Sequence, residues 1–193
     1  WVKKIEIVHE TLKSEEVLLF ADACHPEHQT KSDYGWIAKG KEFEVSGNIG
    51  KNRVNLLGAV DIKNPTNIQI NTFETIDNKA VIVFFEQLQK ANAGKRIKLV
   101  CDNARYFHAK EVNGWLAKNQ DFELVFLPPY SPNLNPIERL WKYMKKEVLN
   151  SSYCRKFNQF KHNILHFFSP KVLQQNASKL ASLLTFSFHI PAF

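Results

Sequence analysis

The chain has 193 residues, 44% of them hydrophobic and 12% aromatic, enough for one domain with a full core or a domain with a small appendage. Lys and Arg number 26 against 19 Asp and Glu, and the resulting charge of +7 favours a polyanionic partner such as nucleic acid. Cys24, Cys101 and Cys154 are too few and too widely spaced for a disulfide framework; no apolar run approaches the roughly 18 residues of a membrane span, and the charged start WVKKIEIVHE is not a signal peptide.

Trp1–Leu12 reads as a short amphipathic element. The chain lacks an initiator Met, so residues 1–15 are expected to be the end of a linker helix from a missing region. Glu16–Ala21 (EVLLFA) is an apolar run of strand length, suited to a strand buried on both faces, and it ends at Asp22. Residues 25–50 are polar, turn-rich and basic, with one short strand expected near Trp36. Arg53–Asp61 and Asn67–Phe73, joined by the turn NPTN, read as an antiparallel hairpin with one wet face.

The period then changes from two to that of a helix. Asp77 is a helix cap, Val81, Phe84, Phe85 and Leu88 recur at helical spacing over Ala80–Ala91, and Gly94 closes the segment. Ile97–Cys101 is a buried strand ending at Asp102. Ala104–Asn119 is expected to be one helix with Trp115 and Leu116 inward, and Phe122–Leu127 a fifth strand. Residues 136–148, 157–168 and 172–184 are expected to be helices, and SFHIPAF (187–193) an apolar tail packed on the domain or on a partner.

The stretch LPPYSPNLNPIERLW organises the rest. Pro128, Pro129, Pro132 and Pro136 stiffen an extended loop, since each fixes φ and disfavours helix before it. Asn135 is then the expected N-cap, Pro136 the first helical position and Glu138 the partner in a capping box. A loop this rigid also delivers Glu138 to a fixed place.

Three strands, helix, strand, helix, strand, helix is the order of a ribonuclease H-like α/β fold: a mixed five-stranded sheet, antiparallel hairpin plus parallel strands, flanked by helices. In that layout Asp22 and Asp102 lie together with Glu138 opposite. Three converging carboxylates repel unless cations sit between them, and hard oxygen donors favour Mg²⁺ or Mn²⁺. Two such ions support phosphodiester transfer.

Around these residues the sequence resembles the catalytic domain of the bacterial DDE transposases of insertion-sequence family 630, within the mariner superfamily. The resemblance rests on FADACHPEHQ, GWIAKG, RVNLLGAVD, VCDNARYFHA and LPPYSPNLNPIERLW, and spans about Leu18 to Val148. It implies that Asp22, Asp102 and Glu138 are the catalytic, metal-binding triad for two Mg²⁺ or Mn²⁺ ions. Asn103 and His108 match positions beside the site, and Asn135 and Pro136 match the loop that presents the glutamate. It further implies cut-and-paste transposition, with transposon ends and target, both double-stranded DNA, as partners, a homodimer in the full synaptic complex, and a cytoplasmic, nucleoid-associated bacterial protein. The family's N-terminal helix-turn-helix region is not in this sequence. The expected division is 1–15 as extension, 16–150 as catalytic domain and 151–193 as a helical extension packed on it.

Lys31, Trp36, Lys39, Arg139, Lys142, Lys145 and Lys146 are candidate DNA contacts, the last four following Glu138 on its helix. Trp141 reads as core, and Tyr34 as a stacking candidate beside Trp36. Cys24, His25 and His28 match structural zinc poorly. Two other functions remain alongside transposase: a domesticated or inactive DNA-binding protein, and a ribonuclease H-like nuclease outside transposition.

Overall fold

The computed structural model describes residues 1–29, 38–41, 44, 47, 49–150 and 153–186. The strand expected near Trp36, together with Lys31 and Tyr34, and the tail 187–193 lie outside the described residues.

Helix α1 (Val2–Glu10) leads into strand β1 (Glu16–Cys24), which is the middle of the main sheet. A small two-stranded ribbon pairs β2 (Glu27–Gln29) with β3 (Ile49–Arg53). The hairpin of β4 (Asn55–Asp61) and β5 (Ile68–Phe73) then extends β1 on one side, antiparallel throughout. Helix α2 (Asn78–Ala91) crosses over to β6 (Arg96–Cys101). Helix α3 (Lys110–Lys118) crosses to β7 (Phe122–Phe126), and both strands run parallel to β1. The order is β5-β4-β1-β6-β7, the mixed five-stranded sheet expected from the sequence. Helices α4 (Ile137–Val148), α5 (Phe157–Phe167), α6 (Pro170–Gln175) and α7 (Ala177–Leu183) complete the described chain.

Strand side chains alternate between faces, and the sheet therefore divides two cores. Val17, Leu19, Ala21, Leu57, Ala59, Leu99 and Cys101 face α2 and α3, where Val81, Phe84, Phe85, Leu88 and Val112 cover them. Leu18, Phe20, Cys24, Leu56, Val60 and Val100 face the other way. There α4 supplies Ile137, Leu140, Trp141 and Met144, and α5–α7 add Phe160, Ile164, Leu173 and Leu180. Helix α4 has a narrow apolar stripe on an otherwise charged surface, which is why it settles on the sheet in one orientation.

Four expectations are corrected. Strand β1 does not end at Asp22 but runs through it to Cys24. The strand expected from Arg53 is two: Arg53 ends β3, and the Val54 N–H turns aside to donate to the Pro26 carbonyl (2.9 Å) before β4 begins. The helix expected over 104–119 is split into a 3₁₀ turn (Arg105–His108) and α3, with Ala109 extended between them. The Asp102 carboxylate accepts the Ala104 N–H at 3.1 Å, which starts a tight turn. Phe107 is then buried nearly parallel to Phe85, and this side chain–backbone competition breaks the helix. The helix expected over 172–184 is interrupted at Asn176, whose Nδ2 bonds back to the Val172 carbonyl (2.9 Å). Its Oδ1 accepts from Tyr143 Oη (2.6 Å).

Candidate active site

Period two decides where the aspartates go. Leu18, Phe20 and Cys24 face α4, so Asp22 between them does too. The parallel register pairs Phe20 with Val100, and two residues further on stand Asp22, still within β1, and Asp102, the first residue past β6. Asp22, Asp102 and Glu138 all line one cavity of about 440 Å³. Its opposite wall is the proline loop, Leu127 to Pro132, with Asn103 and Asn135 between.

The loop and helix that carry Glu138 are fixed by Asn135. This side chain is buried, and its Nδ2 donates to the Ala21 carbonyl of β1 at 3.0 Å. Its Oδ1 accepts, at a long 3.4 Å, from the Ile137 N–H, and its carbonyl from the Glu138 N–H (3.1 Å). The expected helix start is therefore shifted. Pro136, not Asn135, occupies the cap position and α4 begins at Ile137, whose N–H meets Asn135 only at that long distance. The capping box is not made: Asn135 is spent on β1, and Glu138 is left exposed at the cavity. Tyr130, which sequence reading did not single out, stands fully exposed at the cavity wall with φ 56°, a left-handed conformation costly for a side chain of this size. The prolines on either side supply the only sequence hint of it.

The carboxylates feel one another. Burial pushes the Asp22 carboxyl from its ordinary 3.8 up to about 7, and the charges of Glu138 and Asp102 push the same way. Glu138 is also raised, first by desolvation and then by Asp102, with Lys145 pulling against both. Burial raises the Cys24 thiol to about 11 and lifts Cys101 further, so both stay protonated. The donor set at the cavity is thus carboxylate oxygen without thiolate, which fits a hard divalent cation that relieves the repulsion. Among the described residues no three His, Cys, Asp or Glu side chains form a group that could hold an ion as it stands. The triad shares a cavity without being drawn together around a point.

The remaining candidates separate. Asn103 reaches the loop, donating to the Leu127 carbonyl at 2.7 Å. His108 instead stacks on Phe126 (4.4 Å between rings) and does not line the cavity. Lys142 and Lys145 line a neighbouring cleft of about 620 Å³ that also reaches Glu138; Lys146 and Lys39 are exposed elsewhere. Arg139 lines that cleft too, but its guanidinium is turned to the segment after α7. There it donates to the Leu183 carbonyl (2.8 Å), the Thr185 carbonyl (2.7 Å) and Thr185 Oγ1 (3.2 Å). His25 bonds Asn55 (2.8 Å), and buried His28 bonds the Cys154 carbonyl (2.6 Å) against Phe160. Trp141 is core as expected, yet its indole also meets Asp22, a pairing across 119 positions with no local signal.

A family model described as "DDE superfamily endonuclease" matches residues 17–161. The chain belongs to this family. As a DDE endonuclease it is also similar to the insertion element IS630 uncharacterized 39 kDa protein of Shigella sonnei, 28% identical over 95 residues. That match covers 47% of this chain and 28% of that protein. Its fold is that of the Mos1 mariner transposase catalytic domain (TM-score 0.59, 14% identity, 95% of this chain and 86% of that one). It also matches the Mos1 paired-end complex with Mn (TM-score 0.64, 15% identity, 95% and 58%). The chain thus spans less than two thirds of the IS630 protein and of the transposase chain in that complex. No described helix is long and apolar enough to cross a membrane.

Proposed function

We infer that this DDE endonuclease domain is the catalytic part of a transposase, cleaving DNA strands at the ends of an insertion sequence and joining the freed 3′-hydroxyl to target DNA. What supports this reading above all is three carboxylates from three separate elements, Asp22, Asp102 and Glu138, lining a single cavity. In it these residues are the metal ligands, residues 16–150 the catalytic domain, and 1–15 and 151–193 its extensions. Two Mg²⁺ or Mn²⁺ ions, when bound, supply Lewis-acid stabilisation of the attacking and leaving oxygens.

The chain's own residues do the rest. Asp22 is held on the central strand β1, and Asp102 just past the end of its parallel neighbour β6. Glu138 enters from α4, whose start is tied to β1 through Asn135. Lys142 and Lys145, in the adjoining cleft, suit the phosphates of a duplex leaving the site. The IS630 and mariner relatives are an insertion-element protein and a transposase seen with transposon ends, and both favour transposon DNA as the partner. A homodimer bringing two ends together belongs to the same reading.

The test is a supercoiled plasmid carrying the candidate ends, incubated with Mg²⁺ or Mn²⁺. Metal-dependent nicking that is lost in Asp102→Asn, followed by strand-transfer products, supports the reading. Nicking without transfer points to a nuclease instead.

A further inference from the structure

Asp22 faces a gap. In the β1–β4 register its partner is Gly58, the one residue of β4 without a side chain. The space above Gly58 is filled by the indole of Trp141, which descends from α4. A Cβ built on Gly58 would lie 2.8 Å from Trp141 Cζ2 and 2.8 Å from Ile70 Cδ1, and closer still to Trp141 Cη2. Real Cβ contacts are never so short, so the glycine is what admits the ring. Seated there, Trp141 is 1% exposed, and its Nε1 donates to Asp22 Oδ2 at 3.0 Å.

A buried indole N–H needs an acceptor, and many cores would provide a backbone carbonyl. Here the acceptor is one oxygen of the carboxylate at the cavity. The Ala23 backbone N–H also reaches this carboxylate, but the torsion of its last bond is intrinsically broad. Bonded to an indole wedged between sheet and helix, it is held in one orientation. The same helix carries Glu138 one turn earlier, so a single rigid body positions one carboxylate and orients another.

We propose that Trp141 is a positioning residue for the DDE reaction, its indole N–H fixing the Asp22 carboxylate for the divalent cation, with Gly58 as the slot that seats it. This rests on the reading of Asp22 as a metal ligand. Partners of this kind typically change metal affinity or activity by about 10–100-fold.

Trp141→Phe keeps a ring in the slot and removes the donor. With Mn²⁺ as probe, counted as free ion by electron paramagnetic resonance, the 193-residue chain should bind Mn²⁺ about 10-fold more weakly after this change. The Mn²⁺ concentration for half-maximal nicking should rise by the same factor, while the far-UV circular dichroism stays the same. A folded Trp141→Phe protein with wild-type Mn²⁺ affinity, when Asp22→Asn has lost it, overturns the positioning role and leaves the transposase reading standing. Asp22→Asn with undiminished Mn²⁺ binding overturns both. Should Trp141→Phe not fold, a chain with Trp1, Trp36 and Trp115 replaced by Phe retains a single indole. Its ¹H–¹⁵N resonance should move on Asp22→Asn and on Mg²⁺ addition, and a resonance that moves in neither overturns the proposal.

Discussion

Asn135 fastens α4 to β1: its side-chain amide donates to the carbonyl of Ala21, the residue before Asp22, at 3.0 Å, with both groups buried. Removing the amide strands a buried carbonyl, which costs about 1–3 kcal/mol. Asn135→Ala should therefore melt some 2–10 °C lower. It should also nick more slowly, because the start of α4 and with it Glu138 lose their anchor. Unchanged melting in a thermal scan would mean that water replaces the amide.

Glu138→Gln separates chemistry from stability. Glu138 is exposed and forms no capping box with Asn135, so the variant should melt within about 1 °C of wild type and bind duplex DNA equally well. On the proposed reading metal-dependent nicking should fall by orders of magnitude, since the variant removes one of the three charges assigned to the ions. Gel-based nicking beside a melting curve reads both.

Without divalent metal the fold should be more stable in mild acid than in mild base. The Asp22 carboxyl is raised from 3.8 to about 7 in the folded state, so its stabilising, protonated form is fully present below pH 3.8. That contribution is lost as pH rises to 7 and stays absent above. The difference is on the order of a few kcal/mol. Urea midpoints in EDTA at pH 5 and pH 8 should show it, and Asp22→Asn should flatten it. Added Mg²⁺ should recover stability at pH 8 by mass action.

Two glycines give opposite expectations. Gly58→Ala forces a methyl into the Trp141 ring and Ile70 and should cost about 1–3 kcal/mol. Gly114→Ala, inside α3 with nothing within 4 Å of the added carbon, should stabilise by about 0.5–1 kcal/mol. Chemical denaturation of both variants side by side checks the pair.

The basic residues of α4 should divide likewise. Lys142→Ala with Lys145→Ala should weaken binding to all duplexes alike and flatten its salt dependence. Arg139→Ala, which gives up three hydrogen bonds to residues 183–185, should lower the melting temperature instead. Filter binding across a salt series, with melts, distinguishes them.

Alternation and helical spacing were legible because they are local: the five strands of the sheet, Asp77 as the cap of α2, where it accepts the Ala80 N–H at 2.9 Å, and the crossover order all followed from them. Asp22, Asp102 and Glu138 line one cavity because that order sets their elements side by side. What escaped depends on partners far away in sequence. Asn135 has the composition of a helix cap, but Ala21 claims its amide. Asn176 breaks a helix that its neighbours favour, because Tyr143 reaches it. Arg139 resembles its lysine neighbours until residues 183–185 fold back on it. The split before α3 was hidden for another reason: an aspartate two residues before a helix suggests a cap, whereas Asp102 starts a turn that ends in the burial of Phe107.

The two cores back to back on one sheet leave the gene little freedom in length. Deleting or inserting a single codon anywhere in Val17–Ala21 would preserve the reading frame in multiples of three and nearly the same composition. It would also rotate Asp22 to the α2 face, among Leu57, Phe84 and Leu99. Point substitutions in that strand can be absorbed by repacking. A one-residue slip cannot, because it exchanges the two faces at once and carries an ionisable group among buried apolar side chains.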